Sequence, residues 1–361
     1  MSAIEELSSI REQIDCLDQQ IQELINRRAA CAQEVARIKL AADPQDTCYY
    51  RPEREAEVLR KVQSRNQGPL GNEEMARLFR EIMSACLALE QPLSVAFLGP
   101  EGTFTQAAAL KHFGHSVTTR PLASIADVFR EVEAGSVDFG VVPVENSTEG
   151  VISHTLDLFL NSPLSICGEV ILRIHHNLLG ADQEWRQADR VYSHQQSLAQ
   201  CRRWLDQNLP HAERIAVASN AAAAELVSRQ GGLAIASSEA AALYNLRVHE
   251  HNIEDEPCNT TRFLIIGMQQ SGVSSDDKTS LLLATRNEAG GLYRLLTPFA
   301  REGISMSRIE SRPSRRGVWD YVFFIDIIGH QQDPAVKKAL QQLEQEASMC
   351  KILGSYPAAV L

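Results

Sequence analysis

The chain changes character at Val95-Ala96-Phe97-Leu98-Gly99-Pro100-Glu101-Gly102-Thr103-Phe104-Thr105, which reads as a short β-strand, a glycine-bearing turn and the start of a helix. Other apolar runs lead in the same way into Ser, Asn or Thr and then into a helical pattern, at 145–148, 193–194, 219–220 and 237–238. Residues of these types cap helix N-termini. The repetition predicts an α/β domain whose helix N-termini meet at the carboxyl ends of its strands, and favours an anion-binding cleft over ordinary capping.

Upstream of this domain, residues 1–90 are helical almost throughout. Apolar residues spaced by three and four from Leu7 to Ile38 predict one helix over about 7–40, ended by Asp43-Pro44. Further helices are expected from Pro52 to about 64 and from 72 or 73 to 89. Three helices carry too little core for a monomer, so the pattern predicts a dimer. On periodicity alone, a plain dimerisation coil is an equal alternative.

Downstream, the polar stretch 269–278 reads as a linker. Beyond it the expected order is strand, helix, strand, strand, helix, strand between 279 and 356, with one strand starting at Trp319. This is the βαββαβ order of a ferredoxin-like module. The sequence therefore predicts three domains, at 1–92, 93–272 and 273–361: an all-α N-terminal domain, an α/β middle domain and a ferredoxin-like C-terminal domain.

Composition excludes several classes of protein. The 361 residues are 44% hydrophobic, which suits globular cores, and 35 Lys+Arg against 46 Asp+Glu give a charge of −11. That charge argues against nucleic acid or a membrane as a partner, so an anion would have to be held by a few placed cations or helix N-termini. The eight cysteines, Cys48 among them, form no C-x-x-C pair. With no signal peptide or membrane span in the pattern, we expect a soluble cytoplasmic protein.

A cationic group marks the N-terminal helices. Arg28 and Lys39 are eleven residues apart and return to nearly the same helix face. Two long cationic side chains leaning together could hold two carboxylates of one small molecule. Arg11 lies on the flank of the same helix, and the second helix starts with Arg51, Arg54 and Glu55. Interhelical salt bridges to Glu34, Glu55 or Glu57 explain the same pattern equally well.

These residues also carry a resemblance. Segment 5–91 contains the runs Leu7-x-x-Ile-Arg11, Arg27-Arg28, Val35-x-x-Ile-Lys39 and Arg51-Pro52-Glu53-Arg54-Glu55. Through these runs the segment resembles the all-helical chorismate mutases. The resemblance implies an intertwined dimer in which the partner subunit donates Arg11. It further implies that Arg28 and Arg54 (or Arg51) bind substrate carboxylates, that Lys39 meets the ether oxygen and that Glu55 contacts the substrate hydroxyl. Cys86 stands at a substrate contact where serine is common. Glu90 stands at the position where the family has Gln or Glu, whose side chain donates a hydrogen bond to the ether oxygen. A carboxyl group can donate that bond only when it is protonated.

Three motifs in the α/β region occur in order: the run 95–104, Val142-Pro143-Val144-Glu145-Asn146-Ser147-Thr148-Glu149-Gly150, and Asn259-Thr260-Thr261-Arg262-Phe263. Together they resemble the prephenate dehydratases. The resemblance implies two lobes, like those of periplasmic-binding proteins, with a cleft between them. Thr261 is the expected catalytic proton donor to the leaving hydroxyl, and Arg262 is expected to anchor a carboxylate or brace the loop. The other expected substrate-binding residues are Thr103, Glu145, Asn146, Ser147 and Ser193.

In the C-terminal module, Gly290-Gly291-Leu292 and Glu310-Ser311-Arg312-Pro313 resemble the effector motifs of an ACT domain. The resemblance implies that phenylalanine binds there between paired modules. Taken together, the chain resembles the bifunctional family that converts chorismate to prephenate and prephenate to phenylpyruvate. That family implies no metal or organic cofactor and a homodimer that could pair into a tetramer. The alternative is a noncatalytic small-molecule sensor, and a nicotinamide-dependent dehydrogenase is excluded because no G-x-G-x-x-G turn follows a strand.

Overall fold

The protein is described here from a computed structural model that covers residues 3–42, 50–181, 184–285, 288–313 and 321–360. The predicted helix stop at Asp43-Pro44, the cysteine at 48 and the strand start at Trp319 lie outside these described residues. Among the described helices, none is both long enough and apolar enough to cross a lipid bilayer.

The N-terminal region consists of α1 (Ala3–Ala42), α2 (Pro52–Arg65) and α3 (Asn72–Ala88). Pro52 occupies the first turn of α2, where its missing N–H costs nothing. Helices α2 and α3 pack through Leu59, Ala76 and Met83. In contrast, Ala36 is the one buried residue of α1. Its apolar stripe is at least half exposed at eight positions: Leu7, Ile10, Ile14, Leu17, Ile21, Leu24, Val35 and Ile38.

The middle domain follows as two lobes built from one continuous run of elements. In chain order they are β1 (Ser94–Leu98), α4 (Phe104–Phe113), β2 (Thr118–Leu122), α5 (Ile125–Glu133), β3 (Phe139–Asn146), β4 (Gly150–Val151), α6 (Ser153–Phe159), β5 (Ser165–Arg173), β6 (Asn177–Gly180), β7 (Arg190–His194), α7 (Gln195–Gln200), α8 (Arg202–Asn208), β8 (Glu213–Val217), α9 (Asn220–Gln230), β9 (Leu233–Ala236), α10 (Ser238–Leu243), β10 (Arg247–Glu250) and β11 (Thr260–Gly267).

Each lobe has its own mixed sheet. The first lobe has the strand order β2-β1-β3-β11-β5, with β4 added to β3, and the second has β10-β6-β9-β7-β8. Strand β11 lies antiparallel between β3 and β5, so the chain returns to the first lobe to complete its sheet. Two segments, 174–176 and 251–259, connect the lobes. They hydrogen-bond side by side, from Ile174 N to Asn259 O and from Ile253 N to His176 O, both at 2.8 Å.

The C-terminal module contains β12 (Asp277–Ala284), α11 (Gly291–Arg301), β13 (Met306–Pro313), β14 (Tyr321–Ile328), α12 (Pro334–Glu346) and β15 (Met349–Pro357). Its antiparallel sheet has the order β13-β14-β12-β15, the ferredoxin-like arrangement. The sheet lies against β5 of the first lobe. The contact is so close that a Cβ atom on Gly354 would lie 2.2 Å from the carbonyl oxygen of Ile166, and only glycine fits there.

Candidate active sites

The predicted cationic group converges on one place in the helical region. Arg28 and Lys39 on α1 act electrostatically on Glu90, which follows α3. Burial raises the pKa of the Glu90 carboxyl more than Lys39 and Arg28 lower it, so the net shift is upward. This keeps part of the carboxyl protonated at a pH where an ordinary glutamate is ionised. The arrangement therefore offers two cations and one hydrogen-bond donor to a small anion.

The remaining residues predicted for this site are not gathered within one chain. Arg11 is exposed and lies 17 residues from Arg28 along α1, about 26 Å at 1.5 Å per residue. Arg51 and Arg54 are also exposed, and Arg54 lies 3.5 Å from Glu57. Cys86 is buried at the end of α3.

Glu55 occupies a different environment from the one expected of a substrate contact. Its carboxylate lies 2.8 Å from Nε of Arg80, and both side chains are largely buried. Arg80 also donates to the carbonyl oxygen of Lys111 in the middle domain. In the single chain, Glu55 is thus committed to an ion pair where α2 and α3 meet the first lobe.

A cleft of about 1290 Å³ separates the two lobes of the middle domain. Thr103 and Phe104 at the start of α4 line it, as do Ser219 and Asn220 at the start of α9. The caps of three shorter helices contribute the residues Ile152, His194 and Ser237. The predicted meeting of helix N-termini at the strand ends is therefore present, but the prediction was wrong at 145–148, which lead into a turn and the short strand β4, so that α6 begins only at Ser153.

Among the described residues that line this cleft there is no lysine and no arginine. Positive potential must come from backbone N–H groups at the helix N-termini. Helices α9 and α10 are capped by their own serines, Ser219 and Ser237. Helix α4 has no side-chain cap, because the Thr103 hydroxyl donates to the carbonyl oxygen of Leu98. Helix α6 also lacks a side-chain cap but has only seven residues, so the first-turn N–H groups of the longer helix α4 are open to a ligand carboxylate.

Thr261 is 8% exposed and lines the cleft from β11. Its Oγ1 accepts a hydrogen bond from Nδ2 of Asn146 at 2.8 Å. The orientation of that amide is fixed, because Oδ1 of Asn146 accepts from the backbone N–H groups of Thr148 and Glu149 at 3.0 and 3.1 Å. With one lone pair of Thr261 engaged by a donor, its own proton is directed to another acceptor.

Arg262 points away from the cleft, because neighbouring residues of a strand face opposite sides. It is largely buried between the first lobe and the C-terminal module. Its guanidinium lies 2.8 Å from Glu169 and 2.5 Å from Asp326, and donates to the Tyr356 hydroxyl at 2.9 Å. These partners lie on β5, β14 and β15, so the structure places Arg262 away from the cleft, where it joins the first lobe to the C-terminal module.

Three other predicted substrate ligands have protein partners. Glu145 lies 3.0 Å from Arg308 of β13. Ser147 accepts from the N–H of Thr260 at 2.9 Å and so ties the turn after β3 to the first residue of β11. Ser193 is fully buried, with its Oγ 2.7 Å from the carbonyl oxygen of Ile235. The structure therefore places these side chains in the frame of the cleft, where they support residues that reach it.

Three family models match the chain in order: chorismate mutase type II over residues 10–91, prephenate dehydratase over residues 95–271 and the ACT domain over residues 279–345. A bifunctional chorismate mutase/prephenate dehydratase of Stutzerimonas stutzeri is 59% identical over 100% of both chains. Another, of Pseudomonas aeruginosa, is 57% identical, again over 100% of both chains. The chain belongs to the family of bifunctional chorismate mutase/prephenate dehydratases.

A solved structure resembles the dehydratase and ACT parts of this bifunctional chain. The prephenate dehydratase of Arthrobacter aurescens in complex with L-Phe has a TM-score of 0.69 and 33% identity. The match covers 73% of this chain and 90% of that one. It agrees with the predicted order of a two-lobed α/β domain followed by a ferredoxin-like module.

The two ACT-like motifs of this family member lie at one end of the C-terminal sheet. Ala284, just before the first motif, pairs across the sheet with Val322, which in turn pairs with Arg312 of the second motif. Gly290 has φ +79° and starts α11, Gly291 is buried, and Leu292 is 38% exposed. Glu310 is half-buried, and Ser311 and Pro313 are exposed on the edge strand β13.

Arg312 differs from its neighbours in the second motif. It reaches the first lobe, 3.1 Å from Asp157 of α6. The motif therefore joins the bifunctional enzyme's C-terminal module to its middle domain.

Sequence reasoning about this bifunctional family missed several polar side chains of the cleft. Asn259 and Glu149 belong to the quoted motifs but were given no role, and Gln200 and His176 carried no local signal. The structure brings them together from both lobes. No group of three or more His, Cys, Asp or Glu in the described part of the chain is arranged to hold a metal ion.

Proposed function

We propose that the chain converts chorismate to prephenate at the helical site and prephenate to phenylpyruvate in the cleft, with phenylalanine as its effector. The observation that carries the proposal is the Thr261 hydroxyl, which Asn146 holds at 2.8 Å in a cleft lined by helix N-termini. The separate cluster of Arg28, Lys39 and Glu90 supports the mutase step. A noncatalytic sensor would need neither a fixed hydroxyl donor nor a second anion site.

The mutase step requires no acid–base pair, because chorismate rearranges in one pericyclic event. The site has to hold the compact conformer and stabilise charge on the breaking C–O bond. Arg28 would hold a carboxylate, and Lys39 and protonated Glu90 would donate to the ether oxygen. Arg54 or Arg51 would hold the second carboxylate, with Cys86 beside the substrate.

The dehydratase step converts a dianion and one proton to the phenylpyruvate monoanion, CO₂ and water. Aromatisation drives the loss of CO₂, and the leaving hydroxyl needs a donor at short range. Thr261 supplies that donor, and the uncapped N-terminus of α4, beginning at Thr103, binds a carboxylate through backbone N–H groups. Contact between the lobes, such as the Ser237 hydroxyl donating to Gly102 O at 3.1 Å, limits access of water.

We further propose that the mutase site is completed by a second copy of the chain. Arg11 lies about 26 Å along α1 from Arg28, beyond the reach of its own site, and the exposed apolar stripe of α1 suits a helix from a partner. The module's exposed edge strand β13 suits pairing of ACT domains around phenylalanine, which could assemble a tetramer. The domain limits we assign are 1–92, 93–272 and 273–361. None of the described cysteines is joined to another in a disulfide, which suits the cytoplasm.

Adding the protein to chorismate tests the proposal. Chorismate absorbance should fall and alkali-developed phenylpyruvate should appear, whereas a sensor would leave chorismate unchanged. Phenylalanine at millimolar levels should slow phenylpyruvate formation, because an effector that binds a low-activity state more tightly shifts the population toward that state. Light scattering of the same samples should give the mass of a dimer or tetramer. Kinetics unaffected by phenylalanine would contradict the effector assignment.

The mutase rate should fall as pH rises. Glu90 donates to the ether oxygen only when protonated, and its raised pKa places the loss of the proton above the ordinary glutamate range. Glu90→Gln should flatten this decline, because an amide donates at every pH. The measurement is the mutase kcat/KM across pH 5–9 for both proteins. Identical profiles would show that Glu90 is not the donor.

A further inference from the structure

A continuous hydrogen-bonded chain of side-chain amides links the Thr261 hydroxyl to the second lobe. Asn146 donates through Nδ2 to Thr261 and to Oδ1 of Asn259, both at 2.8 Å. Asn259 is 3% exposed and donates through its own Nδ2 to Oε1 of Gln200 at 3.1 Å. Gln200 is the last residue of α7, so the chain crosses from one lobe to the other.

The direction of every bond in this chain follows from its ends. At one end, the backbone N–H groups of residues 148 and 149 fix the amide of Asn146. At the other, Nε2 of Gln200 donates to Glu149 at 3.2 Å, which turns Oε1 toward Asn259. That same oxygen lies 2.8 Å from Nε2 of His176. Burial lowers the pKa of His176, so the ring is neutral and donates through Nε2.

On the basis of the proposed dehydratase function, we propose that Gln200 is a positioning residue that holds the Thr261 hydroxyl as a donor through Asn259 and Asn146. Without the Gln200 oxygen, the buried NH₂ of Asn259 loses its acceptor, which costs about 1–3 kcal/mol. Rotation of the Asn259 amide would then turn its NH₂ toward the NH₂ of Asn146. The repulsion between the two groups would displace the Asn146 NH₂, which donates to Thr261. Because Gln200 belongs to the second lobe, the acceptor that orients Asn259 is in place only while the lobes are together.

The same helix provides a matched control. Gln196 also donates to Glu149, and it makes no hydrogen bond to Asn259. Gln200→Leu should lower the dehydratase kcat by about tenfold or more and change KM by less than about threefold. Gln196→Leu should leave kcat within about threefold of the parent. The mutase rate, measured on the same full-length proteins, reports correct folding of each variant.

Gln200→Glu provides a readout that a purely structural role would not affect. The new carboxyl at position 200 still accepts from Asn259 and His176, but when ionised it faces Glu149 as a like charge and cannot donate. When protonated, it can donate again. The dehydratase kcat of this variant should therefore rise as pH falls, with a limb that the parent and Gln196→Leu lack.

Equal kcat losses in the two leucine variants, an effect confined to KM, or no new pH limb in Gln200→Glu would overturn the proposal. If Gln200→Leu also loses mutase activity, the pH profile of Gln200→Glu decides alone. A parent protein without dehydratase activity would instead refute the proposed function. An active parent with an equally active Gln200→Leu variant would refute this inference only.

Discussion

Thr261→Ala should lower the dehydratase kcat by about 10²–10⁴-fold and leave the mutase rate within about twofold of the parent. The variant removes the one hydroxyl that Asn146 holds in the cleft, and general acid groups contribute rate factors of this size. The mutase site lies on the N-terminal helices and does not include Thr261, so chorismate should still disappear while prephenate accumulates. Parallel assays of chorismate loss and phenylpyruvate formation measure both steps.

The adjacent residue supplies the control for this experiment. Thr260 has its hydroxyl bonded to the carbonyl oxygen of Cys258 at 3.2 Å. Thr260→Ala should therefore leave both activities nearly unchanged, and Thr261→Ser, which restores a hydroxyl, should recover much of the dehydratase rate. A Thr261→Ala variant that keeps its dehydratase rate within about tenfold of the parent would refute the assignment of Thr261.

Arg262→Met should destabilise the protein by about 3–5 kcal/mol, because it leaves buried carboxylates without their partner. Glu169 keeps a contact with Lys278 at 2.7 Å, but Arg262 is the one cation paired with Asp326 among the described residues. Thermal and urea unfolding of the full chain measure the loss. The second-site change Asp326→Asn should restore part of the lost stability, since it removes the uncompensated charge.

An exposed ion pair provides the control that shows whether burial causes the loss of stability. Arg77 lies 2.8 Å from Glu74 with both side chains more than half exposed. Arg77→Met should therefore cost less than about 1 kcal/mol. If Arg262 instead anchored a substrate carboxylate, Arg262→Met would raise the dehydratase KM and leave stability close to that of Arg77→Met.

Much of the fold could be predicted from local pattern. The helix predicted from Pro52 to about 64 matches α2, and the strand, turn and helix start predicted from Val95 onward are β1 and the beginning of α4. The missed elements lack such a pattern. Strand β2 is a largely exposed edge strand that contains Pro121. Strand β5 carries buried Glu169, whose ion pairs with Arg262 and Lys278 are distant in sequence. Such segments form strands because pairing with residues distant in sequence buries them, and local propensity does not reveal that pairing.

The functional residues also divide into those with a local sequence signal and those without one. The grouping of Arg28, Lys39 and Glu90 followed from helix periodicity and resemblance, and Thr261 followed from its motif. The partners of Arg262 could not be predicted, because Asp326 and Tyr356 belong to another domain and meet it only after both sheets have formed. Gln200 was missed for a related reason: its role arises from the approach of two lobes, and a lone glutamine on a short helix has no sequence signature.

The absence of Lys and Arg from the described cleft lining has a consequence for product release. The backbone N–H groups at the helix N-termini of this cleft do not titrate, so their contribution to the field is the same at every pH. The ligand, however, changes: the reaction removes one carboxylate as neutral CO₂, so the charge held by the cleft falls from −2 to −1. The attraction weakens at the moment the chemistry is complete. Loss of one of the two negative charges therefore favours release of phenylpyruvate over retention.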